Sequence, residues 1–292
     1  MDLDIKKRLE GCLVAGAIGD AIGYRYENSN CVSEIDFDFD WQISDDTQLT
    51  IATCEAIATE IEVKPEKVAE RFLYWYQRQR LTGLGASTLK ALRELAVGGH
   101  WALVGRSGEF AAGNGAAMRI APLAFKKYIT RLTIKDICSI THKNDEAYCG
   151  ALLVYYAIHF AIAGLWTTED NLIILIIDKI PDTKVRDRLI ELEKLSHLPI
   201  TEVGKIYKPS GYVVDSVPMA IFAAQQINKC DYKTIITDLI YTGGDTDTTC
   251  SIFGQIAGTL KGVEMISEDF ILKFNNLEIK NLIYPLIDSW KE

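Results

Sequence analysis

The sequence has no C-x-x-C pair and no cluster of cysteine with histidine, although it holds seven cysteines (Cys12, Cys31, Cys54, Cys138, Cys149, Cys230 and Cys250). That scatter gives neither a zinc-ligand pattern nor a disulfide framework, so reduced, mostly buried thiols in a cytoplasmic protein are expected. A basic stripe is also missing. The net charge is −9 and the sequence pI about 5.1, which argues against a duplex nucleic-acid binder. Anionic small ligands stay open, because one cation or a few backbone amides can reverse the field inside a cleft. No apolar run is long enough for a bilayer: the longest uncharged stretch, residues 151–166, contains His159 and falls short of the roughly 20 residues required. No secretory leader is expected, since Asp2, Asp4 and Glu10 crowd the basic residues and Gly16 and Gly19 break the apolar run after them. Linkers, repeats and low-complexity segments are absent as well. A chain of 292 residues, 48% of them hydrophobic, is therefore expected to form one domain over residues 1–292.

What is present is helical periodicity. Leu9, Leu13, Ala17 and Ala21 recur at helical spacing. Beside them Cys12, Gly16, Gly19 and Gly23 form a small-residue face that lets another backbone come close. Asp20 is the one carboxylate in that run. Further helices are expected at about residues 47–60, 65–80, 86–97, 115–128, 133–141, 146–164, 168–179, 183–194, 215–228, 231–241, 248–261 and 267–275. Pro65 suits a first helical turn and Gly98-Gly99 a helix stop. Residues 33–41, "SEIDFDFDW", alternate acid with apolar residues and read as a short strand or extended edge. Their Asp36, Asp38 and Asp40 imitate a calcium loop, but Trp41 and Thr47 stand where that loop needs Gly and Glu, so the motif fails. The class is all-α.

Two segments put surplus carboxylates and hydroxyls at a helix start. One is "SDDTQLT", with Ser44, Asp45, Asp46 and Thr47; the other is "GGDTDTT", with Asp245, Thr246, Asp247 and Thr248. Taken singly, each is a helix cap, because Ser, Thr and Asp oxygens accept first-turn amides and acids suit the positive helix end. Capping needs one oxygen, and each segment has several. If the two starts meet, four carboxylates repel one another unless hard cations neutralise them, and oxygen-only ligands select Mg²⁺, Mn²⁺ or Ca²⁺ over zinc.

Six segments in order, "GDAIGYRYE", "SDDTQLT", "GNGAAMRIAPLA", "THKNDEAYCGA", "GYVVDSVPMAIFA" and "GGDTDTTCSIFGQIAG", resemble the ADP-ribosylglycohydrolase family. The resemblance spans about residues 11–262. It implies a single compact multi-helix domain with a binuclear metal cleft holding two Mg²⁺, or Mn²⁺. By motif position Ser44, Asp45 and Asp46 supply one ligand set and Asp245, Asp247 and Thr248 the other, with Asp247 bridging. Relatives often carry Thr at the place of Ser44, and the hydroxyl is kept. Glu27 matches an acid/base or substrate-orienting carboxylate, although alone it reads as a surface acid. Asp20 matches a carboxylate behind the ligands, or is simply a buried Asp bonded to amides.

The same resemblance places Gly113, Asn114, Gly115 and Met118 along an ADP-ribose groove, where amides at a helix start would cradle a diphosphate; a plain turn at Asn114 explains the segment equally well. It also places His142, Gly211 and Tyr212 near the ligand, and Gly85, Ser87 and Thr88 more weakly. The implied activity is hydrolysis of the bond between C1″ of ADP-ribose and an acceptor on a modified protein or small conjugate, arginine first. The alternatives are a catalytically silent ADP-ribose-binding or structural member, or an immunity protein that occludes an ADP-ribosylating toxin. Loss of motif acids would mark the silent form, and none is lost.

Overall fold

Small residues decide how the first helix packs. The computed structural model describes residues 3–29, 32–167 and 169–291, and within them α1 runs over Leu3–Tyr26. A Cβ added to its Gly11, Gly19 or Gly23 would collide with the backbone carbonyls of Gly258, Cys250 or Thr246. Glycine inside a helix costs about 0.5–1 kcal/mol relative to alanine. Here that cost is offset by backbone-to-backbone packing over most of the helix.

Among the described residues fourteen α-helices follow the chain. After α1 come α2 (Asp45–Ile57), α3 (Pro65–Gln77), α4 (Ala86–Ala96), α5 (Arg131–Ser139) and α6 (Asp145–Ile162). The next are α7 (Leu172–Ile177), α8 (Lys184–Lys194), α9 (Ile200–Ile206), α10 (Val213–Gln225) and α11 (Tyr232–Thr242). The last are α12 (Thr246–Lys261), α13 (Glu268–Phe274) and α14 (Lys280–Ser289). The close partner of α1 is α12, and the pair forms the centre of one continuous apolar core. Tyr232 of α11 ties into it, stacking on Phe253 at 5.3 Å and donating its hydroxyl to the Ala15 carbonyl at 2.6 Å. Strand is confined to a two-residue parallel pair, β1 (Arg106–Ser107) with β2 (His142–Lys143).

The helix reading from periodicity holds for most elements, and two departures have physical causes. Residues 115–128 do not form an α-helix: the chain makes turns on the Asn114 carbonyl and then a 3₁₀ helix over Ala121–Phe125. Pro122 removes a donor there and favours only a first-turn position. Residues 33–41 keep their alternation, with Phe37, Phe39 and Trp41 turned inward and Asp36, Asp38 and Asp40 exposed, but no strand pairs with them among the described residues. Phe37 and Trp41 instead pack on Phe270, at 5.2 and 5.5 Å. The helix expected over 168–179 is only α7, and α9 and α14 were not anticipated. Residue 168 lies outside the described residues, as does Cys31. Of the other cysteines, Cys12, Cys54, Cys138, Cys149 and Cys250 are free and buried, and Cys230 is free and exposed.

Candidate active site

The close pairing of α1 and α12 carries Asp20, Asp247 and the end of α1 to one place, and α2 begins against them. Asp20, fully buried, accepts hydrogen bonds from the Ser44 amide at 3.0 Å, the Thr47 amide at 3.0 Å and the Thr47 hydroxyl at 2.5 Å. The carboxylate of one helix thus holds the start of another. Ser44 caps α2 in the ordinary way, accepting from the Asp46 amide at 3.2 Å, while its hydroxyl donates to Asp46 Oδ2 at 3.0 Å. Thr248 donates its hydroxyl to that same oxygen from α12, at 3.2 Å. The two helix starts therefore meet.

Carboxylate oxygens of Asp20, Asp46 and Asp247 lie within 4.8 Å of one another, and so do those of Glu27, Asp245 and Asp247. Asp247 belongs to both groups. Asp245, the residue before α12, does not cap it; its Oδ2 accepts from Asn114 Nδ2 at 2.7 Å. Asn114 Nδ2 also donates to Ser216 on α10, at 3.0 Å. Asp45 stands at the first position of α2 with its Oδ1 beside Gly83, whose φ of +77° suits glycine.

Burial, and then the neighbouring acids Asp20 and Asp245, push the Asp45 carboxyl well above the usual range. Burial also raises Asp46, with Asp20 and Asp45 adding to it, and raises Asp247, with Asp46 and Asp245 adding. Asp20 is raised by burial against the opposing pull of its Thr47 and Ser44 hydrogen bonds. The partly exposed Glu27 is raised by burial and by Asp245. Asp46 Oδ1 is buried with no hydrogen-bond partner. An orphan carboxylate oxygen among crowded acids and hydroxyls fits a hard divalent cation, whose preferred ligands are oxygens.

These acids form the floor of a cleft of about 650 Å³. Asp45, Asp46, Asp245, Asp247 and Thr248 line it with Glu27, and the expected Gly113, Asn114, Gly115, Met118, His142 and Gly211 line it too. So do the weakly matched Gly85, Ser87 and Thr88. Ser44 and Tyr212 do not. Ser44 is fully buried behind Asp46. Tyr212 forms an antiparallel bridge with Gly113, and the flanking carbonyl of Gly211 takes the Asn114 amide at 3.2 Å. The Gly113–Gly115 turn thus leads into no α-helix, unlike the helix start expected there, and its Asn114 amide is already taken by Gly211.

His142 lies beneath the turn. A Cβ on Gly113 or Gly115 would lie 3.0 Å from its ring, a tighter approach than side chains usually make, so the two glycines let the turn sit close over the ring. Burial, with Arg119 and Arg106 nearby, lowers His142 to about 3, so the ring is neutral. Arg106, Phe110, Gly83 and Lys208 also line the cleft, and sequence reasoning missed all four. Only Phe110 left a trace, as an aromatic residue between glycine-rich turns; it is 83% exposed.

With this geometry in hand, the comparisons with known proteins are decisive for the family. The chain is 26% identical to ADP-ribosylhydrolase ARH3 of Xenopus tropicalis over 89% of this chain and 88% of that one. It is 24% identical to ADP-ribosylarginine hydrolase Tri1 of Pseudomonas putida over 96% of this chain and 78% of that one. A solved structure titled ADP-ribosylglycohydrolase-related protein complex shares the fold at a TM-score of 0.66 and 21% identity, covering 98% of this chain and 97% of that one. No helix among the described residues is long and apolar enough to cross a membrane. A family profile described as ADP-ribosylglycohydrolase matches residues 1–290, and the chain belongs to that family of glycosyl hydrolases.

Proposed function

We propose that the protein removes ADP-ribose from a modified acceptor, arginine-linked first, with two Mg²⁺ or Mn²⁺ ions held in the acidic floor of the cleft. The observation that carries the metal reading is the shared position of Asp247 in two groups of carboxylates, beside the orphaned Asp46 Oδ1. Ser44, Asp45 and Asp46 would hold one ion and Asp245, Asp247 and Thr248 the other. Asp20 is left out because its oxygens already take three protein donors. Bound ions would supply neutralisation of these acids and polarisation of a water and of the ribose hydroxyls.

The rest falls to the chain's own groups. Asn114 fixes Asp245, and Asp20 fixes the start of α2, so the acids are held in place before substrate arrives. In the reaction the oxygen of a water forms a bond to C1″ while the bond from C1″ to the acceptor breaks, and positive charge develops on the ribose ring. Glu27, its carboxyl raised by burial and by Asp245 and lying next to Asp245 and Asp247, takes the proton from the water and returns it to the leaving acceptor.

The arginine assignment draws on the Tri1 relative and on the excess of acids over the two cations, Arg106 and Lys208, that line the cleft. The test is release of free ADP-ribose from proteins modified at defined arginine or serine residues, with EDTA and Asp247→Ala as controls. Activity that survives both controls overturns the metal assignment, and release from serine but not arginine overturns the linkage.

A further inference from the structure

Arg119 is fully buried and forms no ion pair among the described residues, the Asp45 carboxylate acting on it only from beyond contact. Its guanidinium lies over the Phe72 ring at 5.0 Å and donates from Nη1 to the Gly115 carbonyl, in the turn that lines the cleft. Nη2 donates to the Thr141 hydroxyl at 2.8 Å, and Nε has no partner. The Thr141 hydroxyl lies 2.6 Å from His142 Nδ1.

Proton counting favours one direction for this chain. A guanidinium only donates, so Thr141 Oγ1 accepts from Arg119, and full use of the hydroxyl sends its single hydrogen elsewhere. His142 Nδ1 is the one acceptor within reach among the described residues. Nδ1 is then an acceptor, and a neutral ring carries its hydrogen on Nε2. That nitrogen sits against Gly113, in a residue that lines the cleft, and makes no hydrogen bond to the protein among the described residues.

We propose that Arg119 and Thr141 are positioning residues, which through donated hydrogen bonds fix His142 as a neutral Nε2–H donor for an acceptor oxygen of the bound ADP-ribosyl group. The assignment of the ligand rests on the function proposed above; the tautomer does not. The relay also shows how an acidic cleft can hold an anionic ligand: the donor is neutral, and Arg119 behind it forms no ion pair among the described residues, although the Asp45 carboxylate acts on it from a distance.

The test uses the full chain with Mg²⁺, labelled with ¹⁵N-histidine, and free ADP-ribose as probe. Two-bond ¹⁵N–¹H spectra should show His142 as the Nε2–H tautomer across pH 5–8, with a shift on adding ADP-ribose. Thr141→Val keeps the shape but removes the hydroxyl, and should weaken ADP-ribose binding about tenfold by calorimetry while mixing the tautomers. Thr141→Ser restores the hydroxyl and should bring affinity back to within about twofold of wild type. A packing role predicts the reverse order, with Val tolerated and Ser impaired, and that order overturns the relay. An Nδ1–H tautomer in the wild type overturns it too. Should wild type fail to bind ADP-ribose, the ligand reading falls, and the tautomer spectra of wild type and Thr141→Val still decide the relay.

Discussion

Replacing Asp46 by Asn should make the metal-free protein more stable and the metal-loaded protein less so. Two unit charges 4.8 Å apart repel by about 3 kcal/mol at an effective dielectric of about 20, and Asp46 lies within that distance of both Asp20 and Asp247. Partial protonation absorbs most of this repulsion, which is what the raised carboxyls record. A net gain of about 1–3 kcal/mol is expected in EDTA, or about 2–6 °C in Tm for a chain of this size. The amide still offers an oxygen to the Ser44 and Thr248 hydroxyls that Asp46 Oδ2 now accepts. A divalent ion at a hundred times its Kd contributes about 2.7 kcal/mol to wild type, and the variant should lose most of that.

The pH dependence has a definite sign. Asp46 and Asp247 have folded pKa values above their unfolded ones, so the native state holds extra protons between about pH 4 and the raised values. Metal-free stability from this source is greatest in acid and falls as pH rises, and the stabilisation by Mg²⁺ or Mn²⁺ grows in the same direction. Thermal denaturation followed by circular dichroism, in EDTA and in MgCl₂ at several pH values, reads both effects. If Asp46→Asn melts below wild type in EDTA, or gains as many degrees as wild type from MgCl₂, the repulsion argument is wrong.

Glu27→Gln should lower kcat by about 10²–10⁴, the usual worth of a general base, with ADP-ribose affinity by calorimetry nearly unchanged; a comparable loss in affinity would assign it to binding instead. Gly19→Ala should cost at least about 2 kcal/mol in urea denaturation, because the new methyl meets the Cys250 carbonyl rather than a flexible side chain. His142 is neutral with a folded pKa of about 3, below its unfolded value of about 6.5. Its contribution is therefore complete above about pH 6.5 and is lost as pH falls toward 3. The difference in stability between wild type and His142→Gln should shrink over that interval, and a difference independent of pH would show that the ring is not buried neutral.

The helices were legible because apolar residues at helical spacing need only local sequence, and the α1 glycines signalled a close neighbour without naming it. Both acid-rich helix starts were visible as well. Their meeting was not, since Asp46 and Thr248 touch across 202 positions of sequence and no local pattern encodes such a contact; only the family resemblance joined them. Residues 115–128 misled the periodicity reading because Met118, Ile120 and Leu123 are buried from turns as well as they would be from a helix. Arg119 was hidden for a related reason. A single Arg between Met118 and Ile120 reads as an exposed residue, and its burial appears only once Thr141 and the Gly115 carbonyl are brought to it.

Charge arithmetic separates the two readings of the acid-rich helix starts. Each helix N-terminus carries about half a positive charge, so α2 and α12 together supply about +1. Asp45, Asp46, Asp245 and Asp247 bring a formal −4 when ionised. Capping calls for few of them: Ser44 and Asp20 already satisfy the start of α2, Asp247 Oδ1 takes the Thr248 amide in α12, and Asp245 turns its carboxylate to Asn114 instead of the helix. The dipoles therefore leave about three negative charges uncompensated in a nearly buried floor, and the raised carboxyls of Asp45, Asp46 and Asp247 are the chain's own response. Protonation would silence these acids as ligands. A divalent cation offsets two of those charges and the proposed pair offsets all three, which is how bound ions would let these acids stay ionised as ligands at the base of the cleft.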